Sequence, residues 1–217
     1  MSDLYIPFAN TNSMVNAGNA GRRAVEGTRD GAIFTADYKM KLALMGRILV
    51  VNAGTITTPL TWLITGANRP DVVLRVPTGT TIIPFTVEMV LEAAAGTATE
   101  LDIRMAQNDI GIGTSSAASI GPIGMRSDVP FTSAVVARQL YTGDATAETN
   151  PVSLHRQTWP LAQASGLMPY SDYWNPTAPP ILVGPASLEV FLAATTTQAT
   201  GYCQIIFGEV PSAWVTG

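Results

Sequence analysis

Two stretches of alternating side-chain character constrain this chain more than anything else in it. In Phe85-Thr86-Val87-Glu88-Met89-Val90-Leu91-Glu92 every odd position is apolar, and every even position except Val90 is polar. Glu100-Leu101-Asp102-Ile103-Arg104-Met105 repeats the pattern, with Leu101, Ile103 and Met105 on one side and the charges on the other. Successive side chains of a strand point to opposite faces, so each stretch predicts a strand with one buried and one wet face. Pro84 suits the start of the first strand, because proline cannot donate to a ladder. The short loop around Ala95-Gly96-Thr97 predicts that the two strands form an antiparallel hairpin.

Other segments add strands. Residues 44–51 are rich in aliphatic side chains and run into the turn signal Asn52-Ala53-Gly54. Residues 61–65 and 72–76 are two more short strands, the second followed by the turn Pro77-Thr78-Gly79. Residues 131–141 read as strand because Thr, Val and Tyr favour sheet. Residues 188–192 and 202–207 predict a second hairpin around the Thr-rich loop 195–201. Phe191 and the adjacent Ile205-Ile206 break the alternation there, which predicts cover on both faces. Residues 107–130 read as a long connection. Residues 144–180 read as mostly loop, with room for a helical turn around 159–165, because Pro151, Pro160, Pro169, Pro176, Pro179 and Pro180 exclude long regular elements.

About eight strands and no sustained helix result. Long crossing connections between short antiparallel strands suit Greek-key winding better than a meander. The expected fold is all-β: a single jelly-roll β-sandwich over residues 41–217, preceded by an irregular N-terminal arm over 1–40. Asn and Gly residues break any period in that arm, while Leu4, Tyr5, Ile6, Phe8, Ile33 and Phe34 favour docking on a neighbour.

A sandwich of 217 residues fills one core. Its outside is unusual. Only 13% of the residues are charged, against roughly 25% in soluble domains, so part of the surface is expected to lie against partners. The net charge of −4 opposes binding nucleic acid through the overall field. Six bases (Arg22, Arg23, Arg29, Lys39, Lys41, Arg47) and four acids (Asp3, Glu26, Asp30, Asp37) fall in the first 47 residues, which carry +2 and leave −6 for the remainder. Arg22, Arg23 and Arg29 are the candidates for weak contact with nucleic acid, diluted by Glu26 and Asp30. One cysteine, Cys203, allows no internal disulfide. No secretory signal, N-glycosylation sequon or apolar run of about 18 residues is present, so a product of a cytoplasm without a membrane span is expected.

The chain offers little for catalysis. His155 is the single histidine and is not accompanied by a G-x-S-x-G elbow, so it reads as a structural or interface residue. One His and one Cys cannot build a usual zinc site. Glu88 and Glu92 share a strand face but stand roughly 13 Å apart, farther than a glycosidase pair. Gly111-Ile112-Gly113-Thr114-Ser115-Ser116 lacks the lysine of a phosphate loop, and Asn108-Asp109 lacks the acidic spacing of a calcium loop. No enzyme activity, cofactor, metal or small-molecule substrate is expected. Trp159, Tyr170, Tyr173 and Trp174 sit among prolines and small polar residues. They serve as a cap on the sandwich end, as anchors between subunits, or as a platform for a ligand such as a sugar.

The irregular Asn/Gly leader, then VPTGTTIIPFTVEMVLEAAAGTATELDIRMA, the proline-rich section and the closing YCQIIFGEVPSAWVTG together resemble a viral single jelly-roll capsid protein. The resemblance covers roughly residues 42 to 210 and is one of architecture and composition. It implies a virion protein, made in a host cytoplasm, that assembles with copies of itself and with other shell proteins into an icosahedral shell. The sandwich would form the wall, the loops would touch neighbours, and the leader would lie inside or exchange between subunits. The chain departs from many small RNA-virus coats in lacking a basic arm, which better fits a DNA virus or bacteriophage, or an accessory shell protein. The alternatives are a phage decoration or fibre module that recognises a receptor through the 159–174 aromatics, and a trimeric lectin-like binding module.

Overall fold

A computed structural model describes residues 38–62, 69–93, 99–110, 118–128, 130–141, 147–159, 170–194 and 199–216. A short helix α1 (Tyr38–Leu44) leads into β1 (Ile48–Ala53) and β2 (Leu60–Thr61). Then follow β3 (Val72–Val76), β4 (Thr80–Ala93), β5 (Thr99–Ala106), β6 (Ala118–Ile120), β7 (Ile123–Gly124) and β8 (Val136–Gln139). The chain continues through β9 (Val152–Trp159), β10 (Tyr170–Trp174), β11 (Leu182–Val183), β12 (Ala186–Ala194) and β13 (Thr200–Pro211), and ends in α2 (Ala213–Thr216).

These strands form two antiparallel sheets. The first has the order β10-β4-β13-β1-β7, with β11 also beside β4 and β2 beside β13; the second has the order β6-β8-β3-β12-β5-β9. Eight principal strands carry the winding. Taken in chain order, β1 pairs with β13, β3 with β12, β4 with β10 and β5 with β9, so the first lies beside the last and each pair nests inside the previous one. Contacts β13–β4 and β12–β5 then close each sheet. Nested antiparallel pairing distributed over two sheets is the winding of a jelly roll.

Both expected hairpins are corrected by this topology. The strands β4 and β5 are consecutive but lie in different sheets, and so are β12 and β13. Alternation sets which face a strand buries; it does not choose the neighbour. The 144–180 section is corrected too, since it contains β9 and β10. Among the described residues there are also two short helices, and α1 takes up residues 38–44, where the sequence predicted the end of the arm and the beginning of a strand. The arm's residues 1–37 lie outside the described residues.

The core lies between the sheets. Leu49 and Val51 of β1, Val87, Met89 and Leu91 of β4, and Cys203, Ile205 and Phe207 of β13 meet Val72, Leu74 and Val76 of β3, Leu101 and Ile103 of β5, and Leu188, Val190 and Leu192 of β12. Each fully buried aliphatic or aromatic side chain of this kind contributes about 1.5–3 kcal/mol relative to exposure.

Pro84 does not open its strand. It sits within β4 opposite Phe207, where the register with β13 shifts between Ile206 and Phe207. Thr86 faces Ile206 and Pro84 faces Phe207, which leaves Phe85 as the extra residue of a bulge. A bulge tolerates the missing N–H, and it also turns Phe85 over. Instead of joining Val87, Met89 and Leu91, Phe85 packs with Leu42, Ile83 and Val210 on the outer face, beneath α1 and α2. Gly208 makes room for that layer, because a Cβ there would fall 2.7 Å from Leu42 Cδ1. The expected double cover of the last strand is thus present: Ile205 faces the inter-sheet core and Ile206 faces the helical layer.

Candidate functional site

The two sheets leave a lateral side where β9 edges one and β10 edges the other. His155 projects from β9 to Asp172 on β10, with Nε2 2.7 Å from Oδ2. A carboxylate only accepts, so Nε2 carries the shared proton. This links the sheets by side chains at a place where no ladder joins them among the described strands.

Two of the predicted aromatics close the same side from within. Trp159 at the end of β9 is 5% exposed and Trp174 at the end of β10 is 8% exposed, and both belong to the inter-sheet core. They are therefore core residues, not surface anchors. Tyr173 is the neighbour of Trp174 and so points the opposite way; it is 59% exposed. Tyr170 opens β10 opposite Leu91, and its side chain lies outside the described set. Arg22, Arg23 and Arg29 lie outside the described residues, as does the 111–116 loop.

Exposed apolar side chains collect along both lateral edges of the first sheet. Tyr173, Ile181 and Val183 stand out along the β10/β11 edge. Across the sheet, Ile123 (60% exposed) and Met125 line the β7 edge, with Leu44 and Met45 at the end of α1. Arg126 fastens that edge by donating to the Leu44 carbonyl and to Asp128, at 2.7 and 2.9 Å for the carboxylate. Sequence reasoning did not find the second edge, since isolated apolar residues in a Gly/Ser/Pro-rich section carry no period.

The outer face of the second sheet holds an ionic network. Asp102 accepts from Ser153 Oγ at 2.6 Å and from Arg104 Nε at 2.7 Å, with Arg156 Nε at 3.3 Å. Burial alone would raise the Asp102 carboxyl, but the bonds from Ser153 and Arg104 and the charge of Arg104 outweigh it and hold it below its ordinary value. The Arg104 guanidinium also stacks on Phe191, 4.4 Å from the ring centre, which covers the second face of β12. Beside them Glu189 is 0% exposed. Burial pushes its carboxyl up to about 8, and the adjacent Glu148 adds to the rise. Its Oε1 accepts from the Ser187 hydroxyl at 2.6 Å, and its buried Oε2 has no hydrogen-bond partner among the described residues.

Other candidate groups are spent on the fold. Asn108 bonds to Ala147 and Thr149, and Asp109 holds Arg75 at 2.5 and 2.7 Å. Cys203 lies in the core, where burial pushes its thiol far up. Among the described residues no group of three or more His, Cys, Asp or Glu side chains is placed to hold a metal ion, and no helix is long and apolar enough to cross a membrane. Comparison with protein-family models, with curated proteins and with solved structures finds no match.

Proposed function

We propose that this chain is a structural subunit that assembles side by side with copies of itself, as a coat or shell protein of a virion does. The observation that carries the reading is the pair of apolar edges on opposite sides of the first sheet, in a chain of which only 13% is charged. Different patches on opposite sides make a heterologous contact, and such contacts close into rings or continue into larger assemblies. Apolar residues exposed at a sheet edge are costly in a solitary protein and useful in an assembled one.

In this reading the sandwich is the wall, an icosahedral shell is the product, and the chain has no catalytic role. Its partners are copies of itself and other capsid proteins, and its place is the virion after synthesis in a host cytoplasm. The arginines Arg22, Arg23 and Arg29 give weak contact with a packaged genome. The burial of Trp159 and Trp174 counts against a receptor-binding or lectin-like module built on the 159–174 aromatics, because only Tyr173 of the described three faces solvent.

Light scattering after size-exclusion chromatography, followed by electron microscopy, tests the proposal. Rings, sheets or shells are expected. A module that stays small and binds an immobilised glycan or receptor would replace this reading with the fibre or decoration one.

A further inference from the structure

Among the described residues, every exposed methionine belongs to one of the two apolar edges. Met125 follows β7, and its amide donates to the Ile48 carbonyl at 2.9 Å. Met45 follows α1, and its amide donates to the Lys41 carbonyl at 3.1 Å. Met40 stands one turn before Leu44 on the same helix face, and both are exposed. Arg126 joins the two parts of the edge through the Leu44 carbonyl. Met89, by contrast, is fully buried in the inter-sheet core, and Met105 is half-buried against it. The exposed apolar side chains of the opposite edge are Tyr173, Ile181 and Val183, with no methionine among them.

The two edges stand at the same height of the sheet. Ile123 is opposite Val50, which is opposite Ile206 of β13. Val183 is opposite Thr81, which is opposite Val210 of the same strand. Ile206 and Val210 belong to one short stretch of β13. A second copy set beside the first, without sliding along the strands, therefore lays Ile181 and Val183 against Ile123 and Met125. This match makes a second copy the occupant of the methionine edge, and it rests on the assembly reading above.

Methionine suits such a contact because its unbranched thioether adapts to the surface it meets. It is also an apolar side chain that mild oxidants convert to a polar one. A peroxide transfers one oxygen atom to the thioether sulfur: an S–O bond forms, the O–O bond breaks, the sulfur gives up two electrons, and the reduced peroxide leaves as water or an alcohol. The sulfoxide oxygen accepts hydrogen bonds, so under a seated neighbour it needs a donor. The side chains of Ile181 and Val183 have none. The Arg126 guanidinium is already committed to Asp128 and to the Leu44 carbonyl. An acceptor covered without a donor opposes the contact that covers it.

We infer that Met40, Met45 and Met125 form an oxidation site that governs assembly: peroxide converts them to sulfoxides on the free subunit, and the oxidised edge no longer accepts a second copy. Assembly and oxidation exclude each other, because a seated neighbour covers the same thioethers. Reduction of the sulfoxides restores the edge.

Hydrogen peroxide treatment of the dilute chain, followed by peptide-mapping mass spectrometry and sedimentation velocity, tests the site. Met40, Met45 and Met125 are expected to gain oxygen well ahead of Met89, and the concentration needed for association is expected to rise by about tenfold or more. Methionine sulfoxide reductase with a thiol reductant should reverse that rise, a reading that needs no variant. Met40→Leu, Met45→Leu and Met125→Leu combined keep the edge apolar without thioethers, and this chain should associate equally before and after peroxide. Association that is indifferent to oxidation of the three, or a triple variant as sensitive to peroxide as the native chain, overturns the proposal and leaves the assembly reading standing. An untreated chain that never associates overturns both.

Discussion

His155 Nε2 lies 2.7 Å from Asp172 Oδ2, and this one contact ties the edge strand of one sheet to the edge strand of the other. Both side chains are partly covered, at 28% and 17% exposure. Replacing His155 by Ala leaves the Asp172 carboxylate without that donor. We expect a loss of about 1 kcal/mol in urea unfolding, after allowance for solvent screening. Asp172→Asn should cost a similar amount, and the double substitution should cost less than the sum. Strict additivity would mean that the bridge contributes nothing.

Trp174 and Tyr173 are adjacent in sequence and opposite in role. Trp174→Ala empties a core position and should cost about 3–5 kcal/mol, measured by denaturant midpoint. Tyr173→Ala removes an exposed ring and should change the midpoint by no more than about 0.5 kcal/mol, while weakening association. Equal destabilisation by the two would contradict the assignment of Trp174 to the core and Tyr173 to the surface.

Cys203 should be silent in the folded protein. Its thiol is fully buried, and burial pushes it away from the reactive thiolate. An aromatic disulfide reagent should modify it only at the rate of unfolding, and denaturant should release the full signal. Rapid modification under native conditions would place Cys203 outside the core.

Two carboxyls bracket the pH range of greatest stability. Asp102 is held below its ordinary value, so its contribution is present above that value and is lost as pH falls through the lowered one. Glu189 is raised to about 8, so the folded state holds a proton the unfolded chain has released. Stability therefore declines as pH rises from the ordinary carboxyl range through about 8, and levels off beyond it. Thermal midpoints across this range should show the decline, and Glu189→Gln should flatten its alkaline limb.

How much of this was legible in the sequence differs from element to element. The strand Val72–Val76 is read to the residue, because a β-branched run is bounded by Asp71 and the Pro77-Thr78-Gly79 turn. The inward faces of β4 and β5 follow from alternation, apart from Phe85, which the bulge at Pro84 turns outward. Pairing was not legible. Partners such as Ile48 and Gly208 are far apart in the chain, and a jelly roll sends consecutive strands to different sheets. The strand β9 was hidden because Val152, Ser153, Arg156, Gln157 and Thr158 are all exposed, so no alternation marks it. The burial of Glu189 had one local sign, an acid inside the apolar run Leu188-Glu189-Val190.

The central claim is association through the two apolar edges of the first sheet, and sedimentation velocity over a range of concentrations measures it most directly. The native chain should form large, concentration-dependent species, and Ile123→Glu combined with Ile181→Glu should reduce them to single subunits with an unchanged circular dichroism spectrum. A native chain that sediments as one subunit at every concentration, or an assembly indifferent to charges placed on both edges, would contradict the claim.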